Sequence, residues 1–207
     1  MYGVTGTNGK SSIAKMIKDL VGNVKPCGYI GTIAIEYGDV KLPPLLTTPD
    51  VIDIQRILAD MNDAGMKACA LEVSSIGLEQ HRVDAVDFDV AIFTNFTHDH
   101  LDYHGTMENY FDAKKVLFDN LTDRQVAVYN IDDPRGADIV KGCKAHCFSY
   151  GIVNEADYRA KDIHILADRT IFTLEVMRKE YRVETNLIAM FNIYNLLAAI
   201  AALHQTN

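Results

Sequence analysis

The sequence predicts an α/β fold: a mostly parallel P-loop-type sheet flanked by helices, with an antiparallel edge hairpin. Three observations predict it. A glycine-rich turn, Gly3-Val-Thr-Gly-Thr-Asn-Gly-Lys-Ser-Ser12, joins a short apolar start to a helical pattern. Nearly unbroken apolar runs at 67–73, 90–93 and 126–129 read as strands buried on both faces, with helical patterns between or after them. Such alternation implies right-handed crossovers and parallel strands. Finally, between Asp162 and Thr185 the apolar period falls to two (Ile163, Ile165; Ile171, Leu174, Val176; Tyr181, Val183), which predicts antiparallel strands at one edge of the sheet.

Taken in order, Met1, Tyr2 and Val4 make a first strand of about four residues. Residues 12–22 follow as a helix, because Ile13, Met16, Ile17, Leu20 and Val21 recur at helical spacing and Gly22 is a natural stop. The alternation from Ile30 to Leu42 around Gly38-Asp39 predicts a hairpin. Thr48 is the expected N-cap of the next helix, with Pro49 at its first position. That helix turns Val51, Ile54, Leu58 and Met61 inward and ends near Gly65. A later helix, Thr106 to Leu121, places Met107, Tyr110, Phe111, Leu117 and Phe118 on one face. Asp132-Asp-Pro-Arg135 reads as a strand-to-helix turn, and Asn192 to His204 as a last apolar helix. There is no internal repeat, low-complexity tract or linker. The short first strand and the last helix, running to the end of the sequence, lead to the expectation of a domain cut from a longer enzyme.

At 207 residues the chain fits one large domain, and its 48% hydrophobic content is ordinary for a globular protein. A formal net charge of -8 argues against nucleic acid or an anionic membrane as main partner. Cys27, Cys69, Cys143 and Cys147 show neither a disulfide framework nor a second metal-like pair, so reduced thiols are expected. No apolar run is long enough to span a bilayer and no signal peptide precedes the glycines, so the expected location is cytoplasmic.

The first dozen residues suit a nucleoside triphosphate. Gly6 and Gly9 let backbone N–H groups turn inward, Lys10 supplies a cation for the β- and γ-phosphates, and Ser11 offers a hydroxyl to Mg²⁺. The following helix adds its positive end. The strict P-loop pattern wants glycine where Val4 stands, with Gly3 one place earlier. In open α/β sheets the ligand lies beyond the carboxyl ends of the strands. Glu72-Val-Ser-Ser75 and Thr94-Asn95-Phe-Thr-His98-Asp99-His100-Leu-Asp102 fall there. Glu72 is therefore a metal candidate, against the alternative of a solvated strand end. His98, Asp99, His100, Asp102 and His104 suit a hard cation shared with phosphates better than tetrahedral zinc. Lys114 sits in the middle of an apolar stripe. It either snorkels at the stripe's edge or is a desolvated, nucleophilic amine able to take up CO₂ as a carbamate, a carboxylate-like Mg²⁺ ligand.

Several long stretches, in order across almost the whole chain, resemble the Mur ligase family. They are Gly6-Thr-Asn-Gly-Lys10, Glu72-Val-Ser-Ser-Ile-Gly-Leu-Glu-Gln-His-Arg82, Asn95-Phe-Thr-His-Asp-His-Leu-Asp-Tyr-His-Gly-Thr-Met-Glu108, Ala113-Lys114 and Phe191-Asn-Ile-Tyr-Asn195. Within the family they are most similar to the tripeptide synthetases of peptidoglycan synthesis. The resemblance covers only the central ATP-binding domain, placed at 1–207. An N-terminal UDP-binding domain and a C-terminal amino-acid-binding domain would then be absent from this sequence.

The resemblance implies an ATP-dependent amide ligase with Mg²⁺. ATP would phosphorylate a carboxylate of a UDP-N-acetylmuramoyl dipeptide (L-Ala-D-Glu) to an acyl phosphate, and an amino acid's amine would displace phosphate. By position it implies nucleotide contacts from Gly6, Thr7, Asn8, Gly9, Lys10, Ser11, Ser12, Asn192 and Asn195. It implies metal ligands at Ser11, Glu72, His100 and carbamylated Lys114, with catalysis by Lys10, Lys114, His100 and Glu72. The muramoyl dipeptide would be held by Thr47, Thr48, Ser74, Gln80 and Arg82, Arg82 suiting an anionic group. Two positions depart from the family pattern. Ile76 stands for a common histidine, altering substrate contacts. Ala189 stands for a glycine, tightening the turn before the last helix. The other readings are a folylpolyglutamate synthase-like ligase, disfavoured by the Ser74-to-Arg82 and Tyr103-His-Gly105 signatures, and a truncated nucleotide-binding remnant. The 207 residues alone are expected to bind Mg²⁺–ATP and to ligate poorly or not at all.

Overall fold

The computed structural model describes residues 1–44 and 46–206. An eleven-stranded sheet runs through it, in the order β11-β10-β9-β8-β7-β6-β1-β5-β2-β3-β4. At its centre lie β1 (Tyr2–Thr5), β5 (Ala68–Glu72), β6 (Val90–Phe93) and β7 (Val126–Asn130), paired in parallel with β2 (Cys27–Ile30) and β8 (His146–Gly151) outside them. The register places Val4 opposite both Glu72 and Ile92, so three strand ends finish level with the turn after β1.

Both faces of this centre are covered, which explains the unbroken apolar runs. On one face α1 (Lys10–Gly22) and α7 (Met190–His204) bring Ile13, Ile17, Leu197 and Ala201 against Val4, Ile92 and Val128. Alanines at 198, 199, 201 and 202 are buried, leaving α7 free to approach its neighbours closely. On the other face α2 (Val51–Asp63), the short α3 (Ser75–Glu79) and α5 (Met107–Asp119) supply Ile54, Met61, Leu78, Phe111 and Phe118 against Leu71, Val73 and Phe93. Two short helices complete the chain: α4 (Leu101–His104), and α6 (Gly136–Ile139), which follows the Asp132–Arg135 turn.

The expected hairpin at 30–42 is present as β3 (Ile35–Tyr37) and β4 (Val40–Leu42), turning at Gly38 with φ 52°. The antiparallel strands expected after 162 are β9 (Tyr158–Ile165), β10 (Thr170–Val176) and β11 (Lys179–Thr185). Antiparallel pairing therefore closes both edges, where the sequence pointed to one. β2 and β8 were not foreseen. The helix at 51 also starts later than Thr48 and Pro49 imply. Its N-cap is Asp50, because the Thr48 hydroxyl donates to the Glu72 carbonyl oxygen at 2.8 Å and accepts from the Ser74 N–H at 2.9 Å. The same sequence pattern holds at Thr106, whose hydroxyl caps α5 by accepting from the Asn109 N–H at 3.1 Å.

Candidate active site

β1 ends at Thr5 and the chain turns at once. Val4 is tolerated in place of glycine because it is still a core strand residue, fully buried, and the turn begins only at Gly6. Gly6 has φ 144°, and a Cβ there would lie 1.9 Å from the Thr94 hydroxyl. Gly9, at φ 89°, is the N-cap of α1. The turn is stapled to the end of β6: Thr7 N–H donates to Asn95 O at 2.9 Å, Thr94 Oγ1 donates to Asn8 O at 2.6 Å, and Asn8 N–H donates to Asn95 Oδ1 at 2.9 Å. With α1's first intrahelical bond running from Ile13 N–H to Gly9 O, the N–H groups of its first turn are left for an outside acceptor.

Two lysines meet at this turn. Lys10 Nζ donates to the carbonyl oxygens of Gly6 (2.9 Å) and Thr7 (2.8 Å), and Lys114 Nζ donates to the same Gly6 oxygen at 3.0 Å. Lys114 does not snorkel. It is 1% exposed, with its Nζ 4.5 Å from the centre of the Tyr110 ring. Burial drives its ammonium well below the ordinary lysine range, and the Lys10 charge pushes the same way. Burial also lowers Lys10, opposed by the Glu72 and Asp99 carboxylates. Two amines thus share the Gly6 carbonyl oxygen, and Lys114 is the one that burial holds further from its charged form.

Glu72 is fully buried, not a solvated strand end. Its carboxylate accepts from the Ser11 hydroxyl at 2.8 Å, the Tyr29 hydroxyl at 2.5 Å and the Thr32 N–H at 2.9 Å. Gly31 makes this possible, since a Cβ there would sit 2.1 Å from Glu72 Oε1. Burial and the Glu72 hydrogen bond both raise the Tyr29 phenol, keeping it a proton donor.

A cavity of about 270 Å³ gathers Thr7, Asn8, Gly9, Lys10, Ser11, Thr32, Thr47, Glu72, Ser74, Ser75, His100 and Lys114. A second, of about 360 Å³, shares Asn8 and Gly9 and continues over Asn95, Asn130, Asp132, Phe191, Tyr194 and Asn195. The two cavities meet at Asn8 and Gly9, one lined by charged groups and the other largely by aromatic and amide side chains. Ser12 is exposed and lines neither cavity. Asn192 also lies outside both linings and donates to Ile188 O at 2.7 Å, whereas the Asn195 amide stands against Gly9.

The residues expected to hold the muramoyl dipeptide divide. Thr47 and Ser74 line the first cavity, with Thr48 behind them in the bond to Glu72 O. Gln80 and Arg82 lie outside it. Arg82 donates to Thr48 O at 2.8 Å and pairs with Asp50 at 3.2 Å, while Gln80 donates to the Tyr103 hydroxyl at 3.0 Å. Of the polar cluster after β6, His98 and Asp102 are exposed, His100 has φ 51° and faces the cavity, and His104 is buried. Among the described residues no three His, Cys, Asp or Glu side chains come together as a metal cluster.

The Mur ligase middle domain, as a family, matches residues 4–203. The chain belongs to the Mur ligase family. It is 42% identical over 214 residues to the UDP-N-acetylmuramoyl-L-alanyl-D-glutamate–2,6-diaminopimelate ligase of Lactiplantibacillus plantarum, covering 100% of this chain and 43% of that one. The protein of that name in Halalkalibacterium halodurans is 43% identical over 206 residues, covering 98% and 42%. A solved structure of a ligase with this name superposes with a TM-score of 0.90 at 34% identity, over 99% of this chain and 43% of that chain. The MurF ligase of Thermotoga maritima, solved in complex with ADP, shares the fold at a TM-score of 0.76 and 20% identity, over 99% and 45%. The Mur ligase chain studied here thus spans less than half the length of the relatives it matches.

Sequence reasoning gives no site role to Tyr29, Gly31, Thr32 or Ser75. Tyr29 and Gly31 carry no motif, and only the approach of β2 to β5 reveals that they shape the Glu72 carboxylate. Ser75 was read as part of a motif and given no role, although it lines the cavity.

Proposed function

We propose that this chain is the nucleotide-binding centre of an ATP-dependent acid–amino-acid ligase of peptidoglycan precursor synthesis, acting on UDP-N-acetylmuramoyl-L-alanyl-D-glutamate. One observation carries the reading. Lys10, Lys114, Ser11 and buried Glu72 line one cavity beside the free N–H groups of α1. Such a cavity accepts a triphosphate and opens to a second substrate past Thr47 and Ser74. The names of the relatives make 2,6-diaminopimelate the first amine to test. The flanking UDP-binding and amino-acid-binding domains are part of the proposal, in keeping with the share of the relatives that this chain spans.

Lys10 and the α1 N–H groups bind and orient the phosphates. The substrate carboxylate attacks the terminal phosphorus, giving an acyl phosphate and ADP. An amine then attacks the acyl carbon, a proton leaves its nitrogen to solvent, and phosphate departs with the bonding electrons. Lys10 stabilises charge on the oxygens that change hands. Mg²⁺ fits the oxygen donors of Ser11 and Glu72, with the His100 imidazole near, and would supply charge neutralisation at the phosphates. Lys114 fits a carbamate because its amine is buried and held off its charged form. A carbamate would turn that cation into a further anionic oxygen ligand. The folylpolyglutamate synthase reading gains no such support, since a solved FPGS complex, at 16% identity, shares the fold alone.

Calorimetry of Mg²⁺–ATP binding to this chain, with ¹³C-bicarbonate present, tests the reading. Binding is expected in the parent and should weaken roughly 10- to 150-fold in Lys10→Ala, the cost of a charged hydrogen-bonding partner. A carbamate carbon resonance is expected in the parent and absent in Lys114→Met. No binding by the parent would overturn the assignment.

A further inference from the structure

His104 and its two neighbours form a chain that the ligase reading leaves without a task. The His104 side chain is 1% exposed, buried under α3 and α5. Its ring lies 5.2 Å from the Tyr110 ring, whose face also carries Lys114 Nζ. On one side His104 Nε2 is 2.9 Å from Ser75 Oγ. On the other, Glu79 Oε2 lies 2.9 Å from Nδ1, off the ring N–H direction, so that Nδ1 has a carboxylate neighbour without an aligned hydrogen bond. Glu79 is half-exposed and reaches solvent; Ser75 is buried and lines the phosphate cavity.

The proton positions follow from these partners. A carboxylate only accepts, so the tautomer with hydrogen on Nδ1, beside Glu79, is favoured by its charge. Nε2 then carries the lone pair and must accept the Ser75 hydroxyl hydrogen. Burial favours the neutral ring that this arrangement needs. With its hydrogen committed, Ser75 can show the cavity only lone pairs. Of the groups that line the same cavity, Lys10 and the N–H groups of α1 are donors facing the phosphates, while Glu72 and a carbamylated Lys114 are acceptors that cannot pair with it. A hydroxyl so locked cannot donate to an anionic substrate group, and in the ligase reading the incoming amine is the neutral substrate group with N–H hydrogens that such an acceptor can take.

We propose that Ser75, locked as a hydrogen-bond acceptor by His104 and Glu79, holds an N–H of the incoming amine against the acyl phosphate. The proposal rests on the ligase reading above and deepens it. Ser75 touches the substrate amine, while His104 and Glu79 are positioning residues acting through it. No proton or bond changes hands at Ser75. The hydroxyl orients the amine's lone pair toward the acyl carbon by fixing one of its hydrogens.

Two measurements test this. In the ¹⁵N-labelled 207-residue chain, NMR couplings of the His104 ring should show hydrogen on Nδ1, with Glu79→Gln shifting the ring toward the other tautomer. Hydrogen on Nε2 in the parent overturns the proposal, because Ser75 would then be free to donate. In ligation assays with the relatives' flanking domains supplied, Ser75→Ala should raise the amino acid KM about tenfold, the size of one hydrogen bond. Its Mg²⁺–ATP affinity by calorimetry should stay at the parent value, and Ser75→Thr should restore KM. An unchanged amino acid KM, or an equal loss of ATP affinity, rejects the role. A parent assembly that ligates nothing would count against the ligase reading instead, and the tautomer would still decide the lock.

Discussion

Ala189 sits where backbone geometry asks for glycine. It is the N-cap of α7 with φ 78° and ψ 143°, a region in which an L side chain is strained. Such strain costs roughly 1–3 kcal/mol, against roughly 0.4–1 kcal/mol of extra unfolded-state freedom for glycine. Ala189→Gly is therefore expected to stabilise the chain by about 1 kcal/mol, read as a higher midpoint in urea with an unchanged slope. The departure from the family pattern noted in the sequence thus has a physical cost. The turn keeps its glycine-like shape and the alanine bears the strain. Ile76, the other departure, is half-buried within α3, next to Ser75.

At the scale of elements, Asp132 ties three of them together. Its carboxylate accepts from the N–H groups of Ile152 (2.6 Å), Val153 (2.9 Å) and Asn154 (2.7 Å), and from the Tyr194 hydroxyl of α7 at 2.9 Å. Burial would raise its pKa, but these bonds together outweigh burial and hold it below the usual aspartate range. The sign follows from linkage. A depressed carboxylate contributes stability that is present above its unfolded pKa of about 4 and is lost as pH falls through the folded value. Asp132→Ala should cost about 1–2 kcal/mol at pH 7, a figure discounted for partial solvent exposure. The gap between mutant and parent should narrow as pH falls through the folded value. Urea melts at neutral and acid pH check this, and a gap undiminished in acid would remove the carboxylate's charge from the account. Because Asp132 and Tyr194 also line the larger cavity, the same mutant should loosen its wall.

Across the whole molecule, pairing order sets a gradient of stability. β1 lies between β5 and β6, parallel to both, with helices on either face, and its four residues are all buried. The edges are different. β4 is exposed throughout and β11 nearly so, each paired on one side only. Amide exchange should therefore be slowest in β1, β5 and β6 and fastest in β4 and β11. Protection spread evenly over the sheet would show that the edges unfold only with the centre. The turn from Gly6 to Lys10 hangs from the slowest strands, which keeps Gly6, Lys10 and Glu72 in place before any ligand arrives.

Local chemistry made part of this readable from residues alone. Gly-Lys-Ser before a helical pattern marked the glycine turn that leads into α1, and unbroken apolar runs marked strands covered on both faces. Lys114 stood out because a cation in an apolar stripe breaks the pattern, although spacing left snorkelling and burial equally open. Only the packed structure decides between them, by placing Lys114 Nζ on Gly6 O from a helix more than a hundred residues away. The same holds for β2 and β8. Cys27-Gly-Tyr-Ile30 is too short, and His146-Cys-Phe-Ser-Tyr-Gly151 too mixed, to announce strands, and parallel neighbours supply the missing hydrogen bonds. Thr48 shows the reverse case, where a local N-cap signal lost to a distant partner, the Glu72 carbonyl. Sequence by itself determined the elements whose signals are local: periodicity, turns and the glycine-rich motif before α1. The tertiary structure alone decided which buried polar groups meet, because a buried donor or acceptor takes whichever partner the fold brings within reach.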